Sequence, residues 1–99
     1  MKLIKVVKST NSKKKYDAIF KDKDGKEKKI SFGASGYGDY TITKDKEQRE
    51  RYRKRHAKDL LTEKNKKGLG AGALSFEILW GNSTSLKKNI QEYRKKYNL

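Results

Sequence analysis

The sequence contains no cysteine and no proline, one histidine, one tryptophan and one methionine, and only 12 acidic residues against 27 Lys and Arg. Without cysteine there is no disulfide, thiol nucleophile or thiolate zinc site, and an intracellular setting fits. Without proline every turn must be built from Gly, Asn, Asp and Ser. Long apolar runs are missing too. The opening Met-Lys-Leu-Ile-Lys-Val-Val is too short for the apolar stretch of a signal peptide, and nothing approaches the ~18 apolar residues of a membrane span. Apolar residues make up 32% of the chain and charged ones 39%, close to the composition of disordered chains. The apolar residues are clustered, however, and include six Tyr, three Phe and Trp80. That pattern predicts one folded domain, residues 1–99, with a thin core. A domain of this size buries only about 60–65% of its unfolded surface.

The formal net charge is +15, far more than solubility needs. Such an excess repels itself in a compact chain, so a polyanionic partner that cancels it stabilises the fold. Nucleic acid is the commonest such partner; an anionic membrane face or an acidic protein surface is the alternative. The charge is spread along the chain and not gathered in a tail, which places it on the folded surface.

The pattern predicts an α+β fold: a β-rich part over residues 1–42 and a helical part over 43–99, with a Gly-rich linker at 62–73. Residues 3–7 (Leu-Ile-Lys-Val-Val) read as a strand. Tyr16 to Lys21 alternates, Asp24-Gly25 reads as a two-residue hairpin turn, and Lys26 to Phe32 returns as a strand, giving an antiparallel hairpin or meander. A loop of three glycines and two tyrosines, Gly33 to Tyr40, leads to a helix beginning near Thr43 to Asp45 and running to about Leu61. In that helix Gln48, Tyr52, His56 and Leu60 fall on one inward stripe. Leu74 to Trp80, the most apolar segment, reads as a short buried helix, with a strand as the alternative. Ser83, Thr84 and Ser85 offer N-caps for a last helix whose Leu86, Ile90, Tyr93 and Tyr97 recur at amphipathic spacing.

The densest cationic run is Arg49, Arg51, Arg53, Lys54, Arg55 and Lys58. Arg51, Lys54 and Lys58 fall on the outward side of the helix and Arg49, Arg53 and Arg55 on its flanks, a distribution suited to contacting phosphates or simply to a solvated helix face. Lys13, Lys14 and Lys15 form a second cluster and Lys87 and Lys88 a third, whereas Arg94 to Lys96 also suit the C-terminal end of a helix dipole. Tyr37 and Tyr40 are candidates for stacking on an unpaired base, or for packing under their own loop. Gly68-Leu-Gly-Ala-Gly72 lacks the glycine spacing and the βαβ context of a dinucleotide fingerprint and reads as a flexible connector. His56, with Asp59 three residues on, has no paired nucleophile by motif and reads as a core or helix-end residue. Asp22-Lys23-Asp24 falls at the hairpin turn and reads as turn chemistry. No metal site and no cofactor is expected. A small-molecule pocket needs concave apolar volume that this composition barely supplies, so no enzyme activity is expected.

Two blocks carry a resemblance. The first is Ile30-Ser-Phe-Gly-Ala-Ser-Gly-Tyr-Gly-Asp-Tyr-Thr-Ile-Thr-Lys-Asp-Lys with Arg51-Tyr-Arg-Lys-Arg-His56. The second is Leu74-Ser-Phe-Glu-Ile-Leu-Trp80 with Ser85-Leu-Lys-Lys-Asn-Ile-Gln-Glu-Tyr93 and Arg94 to Tyr97. Together they cover about two-thirds of the chain. They resemble a family of small basic proteins of unassigned function encoded by large double-stranded DNA viruses, and depart from it in the Gly-rich linker 59–73 and just after Trp80. The resemblance implies a viral origin and a place in the virion or the interior of the infected cell. It supplies no activity and no catalytic residue. The charge, taken with that origin, makes nucleic acid the expected partner, double-stranded DNA foremost, and genome packaging the role it suggests. The alternative is a minor capsid or cement protein that meets acidic capsid proteins or the inner membrane.

Overall fold

The structure, a computed structural model, describes residues 1–99. Three antiparallel strands in the order β1-β2-β3 form the sheet: β1 (Lys2–Lys8), β2 (Lys14–Lys21) and β3 (Glu27–Ala34). Helical segments follow: α1 (Tyr40–Thr43), α2 (Lys46–His56) extended by a 3-10 stretch (Ala57–Leu61), α3 (Glu63–Lys66), α4 (Ala71–Leu74) running into a π turn (Ser75–Leu79), and α5 (Leu86–Tyr97). The α+β class and the N-terminal sheet are as the sequence predicts.

Alternation along the strands divides the sheet into two faces. The register pairs Leu3 with Phe20, Val6 with Ala18, and Ala18 with Ile30. Leu3, Ala18, Phe20 and Phe32 are fully buried beneath Leu74, Ile78, Leu79, Trp80 and Tyr93. The chain end completes the layer: Leu99 is buried, and its carbonyl accepts from the Leu3 amide at 2.9 Å. The helical layer thus covers one face of the sheet, and the other face carries Lys5, Val7, Ile19 and Lys29 toward solvent.

Several elements differ from expectation for identifiable reasons. The β2–β3 turn spans residues 22–26, not two residues. The Asp22 carboxylate accepts from the Asp24 and Lys26 amides, each at 2.9 Å, and only Gly25 takes a positive φ, +81°. Helical structure starts at Tyr40, ahead of the expected boundary, because Asp39 caps α1 through the Thr41 amide at 2.9 Å. Asp45 caps α2 by accepting from the Glu47 and Gln48 amides. Gln48 does not reach back as a capping box; its side chain accepts from the Thr43 hydroxyl.

The Gly-rich segment, read above as a flexible connector, is packed. The Asn65 side chain donates to the Asp59 carbonyl at 2.7 Å and accepts from the Ala73 amide at 3.0 Å. Gly68 and Gly70 are buried, and the Tyr93 hydroxyl donates to the Gly68 carbonyl. A Cβ on Gly70 would meet Asn65 Oδ1 at 2.0 Å, so these glycines serve close approach. In the following segment the Trp80 amide bonds to the Ser75 carbonyl at 3.1 Å, five residues back. This widened turn lets Phe76, Ile78, Leu79 and Trp80 all be buried. Asn89, on the inner face of α5, holds the loop before that helix. Its amide donates to the carbonyls of Ile78 (2.9 Å) and Ser83 (2.7 Å), and its oxygen accepts from the Ser83 amide (3.0 Å).

Candidate functional site

A groove of about 370 Å³ opens where the Gly33–Asp39 loop, α2 and the π turn meet. Its floor is Leu79 and Trp80. One wall is the loop, with Ala34, Tyr37 and Gly38, and the opposite wall is α2, with Gln48, Arg51, Tyr52, Arg55 and His56. The loop is fixed at both ends. Near its start Gly33 sits at φ +79°, so close to the π turn that a Cβ would lie 2.7 Å from Leu79 Cδ1. Ser35 donates from its amide to Lys13 (3.1 Å) and from its hydroxyl to Ser12 (2.6 Å). At the far end Asp39, 1% exposed, accepts from Lys15 Nζ at 2.5 Å. Tyr37 projects from the tip and is 73% exposed.

On the α2 wall three rings form a column. Tyr52 stacks on Trp80 with centroids 4.3 Å apart and an interplanar angle of 9°, and His56 lies 4.3 Å from the other side of Tyr52. His56 Nδ1 also meets Asp59 Oδ2 at 2.7 Å, the helix-end role its position suggested. Burial, reinforced by the Asp59 charge, pushes the Tyr52 hydroxyl pKa up.

The candidate cations separate into two groups. Arg49 and Arg53 turn inward and bind protein. Arg49 Nε donates to the Gly81 carbonyl at 2.6 Å, and its guanidinium lies 5.5 Å from the Tyr40 ring centre. Arg53 Nη1 donates to the carbonyls of Phe76 (3.0 Å) and Trp80 (2.7 Å), and its guanidinium lies 4.0 Å from the Phe76 ring centre. Burial, then the neighbouring Arg49, pulls the Arg53 pKa down, while Glu77 opposes the shift. Lys15 is likewise committed to Asp39. By contrast Arg51, Lys54, Arg55 and Lys58 are exposed, as are Lys13, Lys14, Lys87 and Lys88. Arg51 and Arg55 border the groove. Lys14 lies beyond Tyr37 in a neighbouring shallow depression. Lys54, Lys58, Lys87 and Lys88 line neither. Of the two stacking candidates only Tyr37 is available, because Tyr40 is 7% exposed and belongs to the core.

The open face of the sheet holds cations that pattern reading passed over. Lys2 stands directly opposite Lys21, and Ile19 is flanked by Lys5 on one strand and Lys29 on the other. Like charges facing one another across strands are destabilising. The nearest acid, Asp17, is held by the hydroxyls of Ser31 (2.6 Å) and Ser9 (2.7 Å) and by Lys29 at 3.9 Å. Those two hydroxyls hold its carboxyl below the usual carboxylate pKa. The signal for this face was the odd-numbered parity of β2, opposite to Ala18 and Phe20. Across the whole chain only Lys15, Lys29, Arg53 and Lys96, of the 27 Lys and Arg, take part in an ion pair.

Residues 4–56 match the model of a family of unknown function (DUF5754). That span runs from β1 to the last residue of α2, so it contains the sheet, the glycine loop and the cationic helix. A relative, the "Uncharacterized protein L851" of Acanthamoeba polyphaga mimivirus, is 36% identical over 81 residues, spanning 78% of this chain and 80% of the relative. No solved structure matches.

Proposed function

The chain belongs to the DUF5754 family, a family of unknown function, and on that premise we propose that it is a non-enzymatic, sequence-tolerant nucleic-acid-binding protein. The observation that carries this reading is the low degree of ion pairing: four of 27 cations are paired, and unpaired lysines are set opposite one another across an open sheet face. A folded chain keeps such an arrangement at a cost in self-repulsion that phosphates relieve. The contacts are backbone contacts, which position without reading sequence. With a mimivirus relative, a viral genome is the polyanion we assign, and packaging it the role.

Replacing Arg51, Lys54 and Arg55 together by alanine tests the assignment. These three side chains have no ion-pair partner, so the fold is unaffected. Binding weakens, and the slope of log K against log salt flattens by up to about 3. A triple variant with the parent's affinity and slope removes α2 from the contact surface. A competing reading, docking on acidic capsid proteins, draws on Ile4 and Val7, which are exposed on edge strand β1. Gel shift with plain duplex at ~150 mM salt separates the two, since at that ionic strength a screening length of about 8 Å suppresses casual attraction. Absence of any shift favours the capsid reading.

A further inference from the structure

We infer that the groove between the glycine loop and α2 holds one unpaired nucleotide of a single strand, its base against Tyr37 and its phosphate between Arg51 and Arg55. The inference rests on the nucleic-acid reading above and narrows it from polyanion to unpaired strand.

Three observations converge. First, Tyr37 is an aromatic ring 73% exposed on a loop tied at one end through Ser35 to Ser12 in the β1–β2 connection and at the other through Asp39 to Lys15 of β2. The tyrosine is therefore presented by an ordered backbone and does not fold back onto the core as Tyr40 does. A planar π face left in water beside cations is the arrangement that single-strand binders use for base stacking.

Second, Arg51 and Arg55 are four residues apart on α2 and so neighbours on one face. Both border the groove and neither is ion-paired. Asp39 is the one acid that lines the groove, and it is paired with Lys15. The site is thus cationic with no free carboxylate, which selects an anionic ligand. Guanidinium groups match the fork geometry of a phosphate.

Third, the size is right for one unit. At about 370 Å³ the groove lies at the lower end of small-molecule sites, and its floor of Leu79 and Trp80 gives the base an apolar seat. A base within a duplex is stacked and paired, and would reach such a groove only at the cost of being flipped out of the helix. Beyond Tyr37 the depression bordered by Lys8 and Lys14 offers the next phosphate a cationic path, so a strand, not a free nucleotide, is the assigned occupant.

The single tryptophan supplies the readout, since Trp80 lies in the floor of the groove. Titration of the full chain at ~150 mM salt, with a mononucleotide, a single-stranded oligonucleotide and the duplex of the same sequence, follows its fluorescence. The expected result is saturable quenching by the single strand, weak quenching by the mononucleotide and none by the duplex. Tyr37→Ala lowers single-strand affinity roughly tenfold, from the usual strength of one base–aromatic stack, and leaves duplex binding unchanged. Tyr37→Phe restores the parent's affinity. Because Tyr37 is exposed, these variants fold, and circular dichroism confirms it. Equal quenching by duplex, a Tyr37→Ala variant that binds single strand as the parent does, or quenching by mononucleotide with no gain for the oligonucleotide would each overturn the inference while duplex binding keeps the broader function standing. Absence of binding to either polymer removes both.

Discussion

Arg53→Ala separates architecture from binding in the cationic helix. The Arg53 side chain is 27% exposed and spans two carbonyls of the segment that forms the core's centre. One Nη1 serves Phe76 at 3.0 Å and Trp80 at 2.7 Å, the guanidinium covers the Phe76 ring, and Nη2 lies 3.9 Å from Glu77. A hydrogen bond from a charged donor contributes about 1.5–3 kcal/mol net, the cation–π contact about 0.5–2 kcal/mol, and a part-exposed ion pair about 0–1 kcal/mol. These are not additive, since one guanidinium makes all of them and water can reach the Trp80 carbonyl after truncation. A net loss of about 2–4 kcal/mol is the reasonable sum.

For a chain of this length each kcal/mol moves Tm by about 4–8 °C, so a drop on the order of 10–20 °C is expected. Urea unfolding of parent and variant at low temperature measures it. Arg51→Ala, which removes no internal contact, stays within about 0.5 kcal/mol. Arg53→Lys keeps the charge but loses the planar guanidinium over Phe76 and the separate Nη2 contact with Glu77, and recovers less than half of the loss. An Arg53→Ala chain as stable as Arg51→Ala would refute the latch and return Arg53 to the phosphate-binding set.

Asn89→Ala removes the side-chain hydrogen bonds to the buried Ile78 carbonyl and to the part-buried Ser83 amide and carbonyl. A loss of about 2–4 kcal/mol by chemical denaturation is expected. Gly68→Ala places a Cβ at φ +79° and 2.6 Å from the Tyr97 ring, so strain and overpacking together lower stability by about 2 kcal/mol or more, with binding per folded molecule unchanged. In alkali, burial raises the pKa values of Tyr52, Tyr93 and Tyr97, and the Glu77 carboxylate that accepts from Tyr97 adds to the last. A raised folded-state pKa contributes stability that is whole below the unfolded value near 10 and is lost as pH rises beyond it. Absorbance titration therefore shows these three tyrosines ionising above the range of free tyrosine, with stability falling over the same alkaline window.

The strands were legible because Tyr16, Ala18 and Phe20 in β2 and Ile30 and Phe32 in β3 recur on one buried face, Ile19 alone interrupting the pattern. Their turn was not. Asp24-Gly25 signals a two-residue loop, yet Asp22 collects two amides and lengthens it, a side-chain choice that dipeptide statistics do not contain. The start of α2 near Asp45 was readable, but the cap at Asp39 was hidden in a glycine loop. In Leu74 to Trp80 burial on all sides erases periodicity, so the π turn had no signal. Asn89 did have one. It lies three residues after Leu86 on the stripe of Ile90, Tyr93 and Tyr97, where a polar residue implies a buried partner. The groove was invisible for a different reason: its walls come from residues 33–39 and 48–56 and its floor from 79–80, and no local pattern reports which loop a helix faces.

The same distinction explains how so basic a chain keeps a core at all. Arginines on the inner flank of α2 serve assembly, because their donors meet carbonyls of the 76–81 segment and their guanidinium groups lie over the Tyr40 and Phe76 rings. Glu77 gathers Arg53, Lys96 and the Tyr97 hydroxyl at one point between α2, the π turn and α5. Cations that bind inward thus act as the mortar that a thin apolar core lacks. What remains outside, on the open sheet face and the outer side of α2, is net positive even with Glu47, Glu50 and Asp17 counted. Repulsion among those charges subtracts from the stability that the inner set provides, and under the proposed function a phosphate backbone laid over them would remove that subtraction.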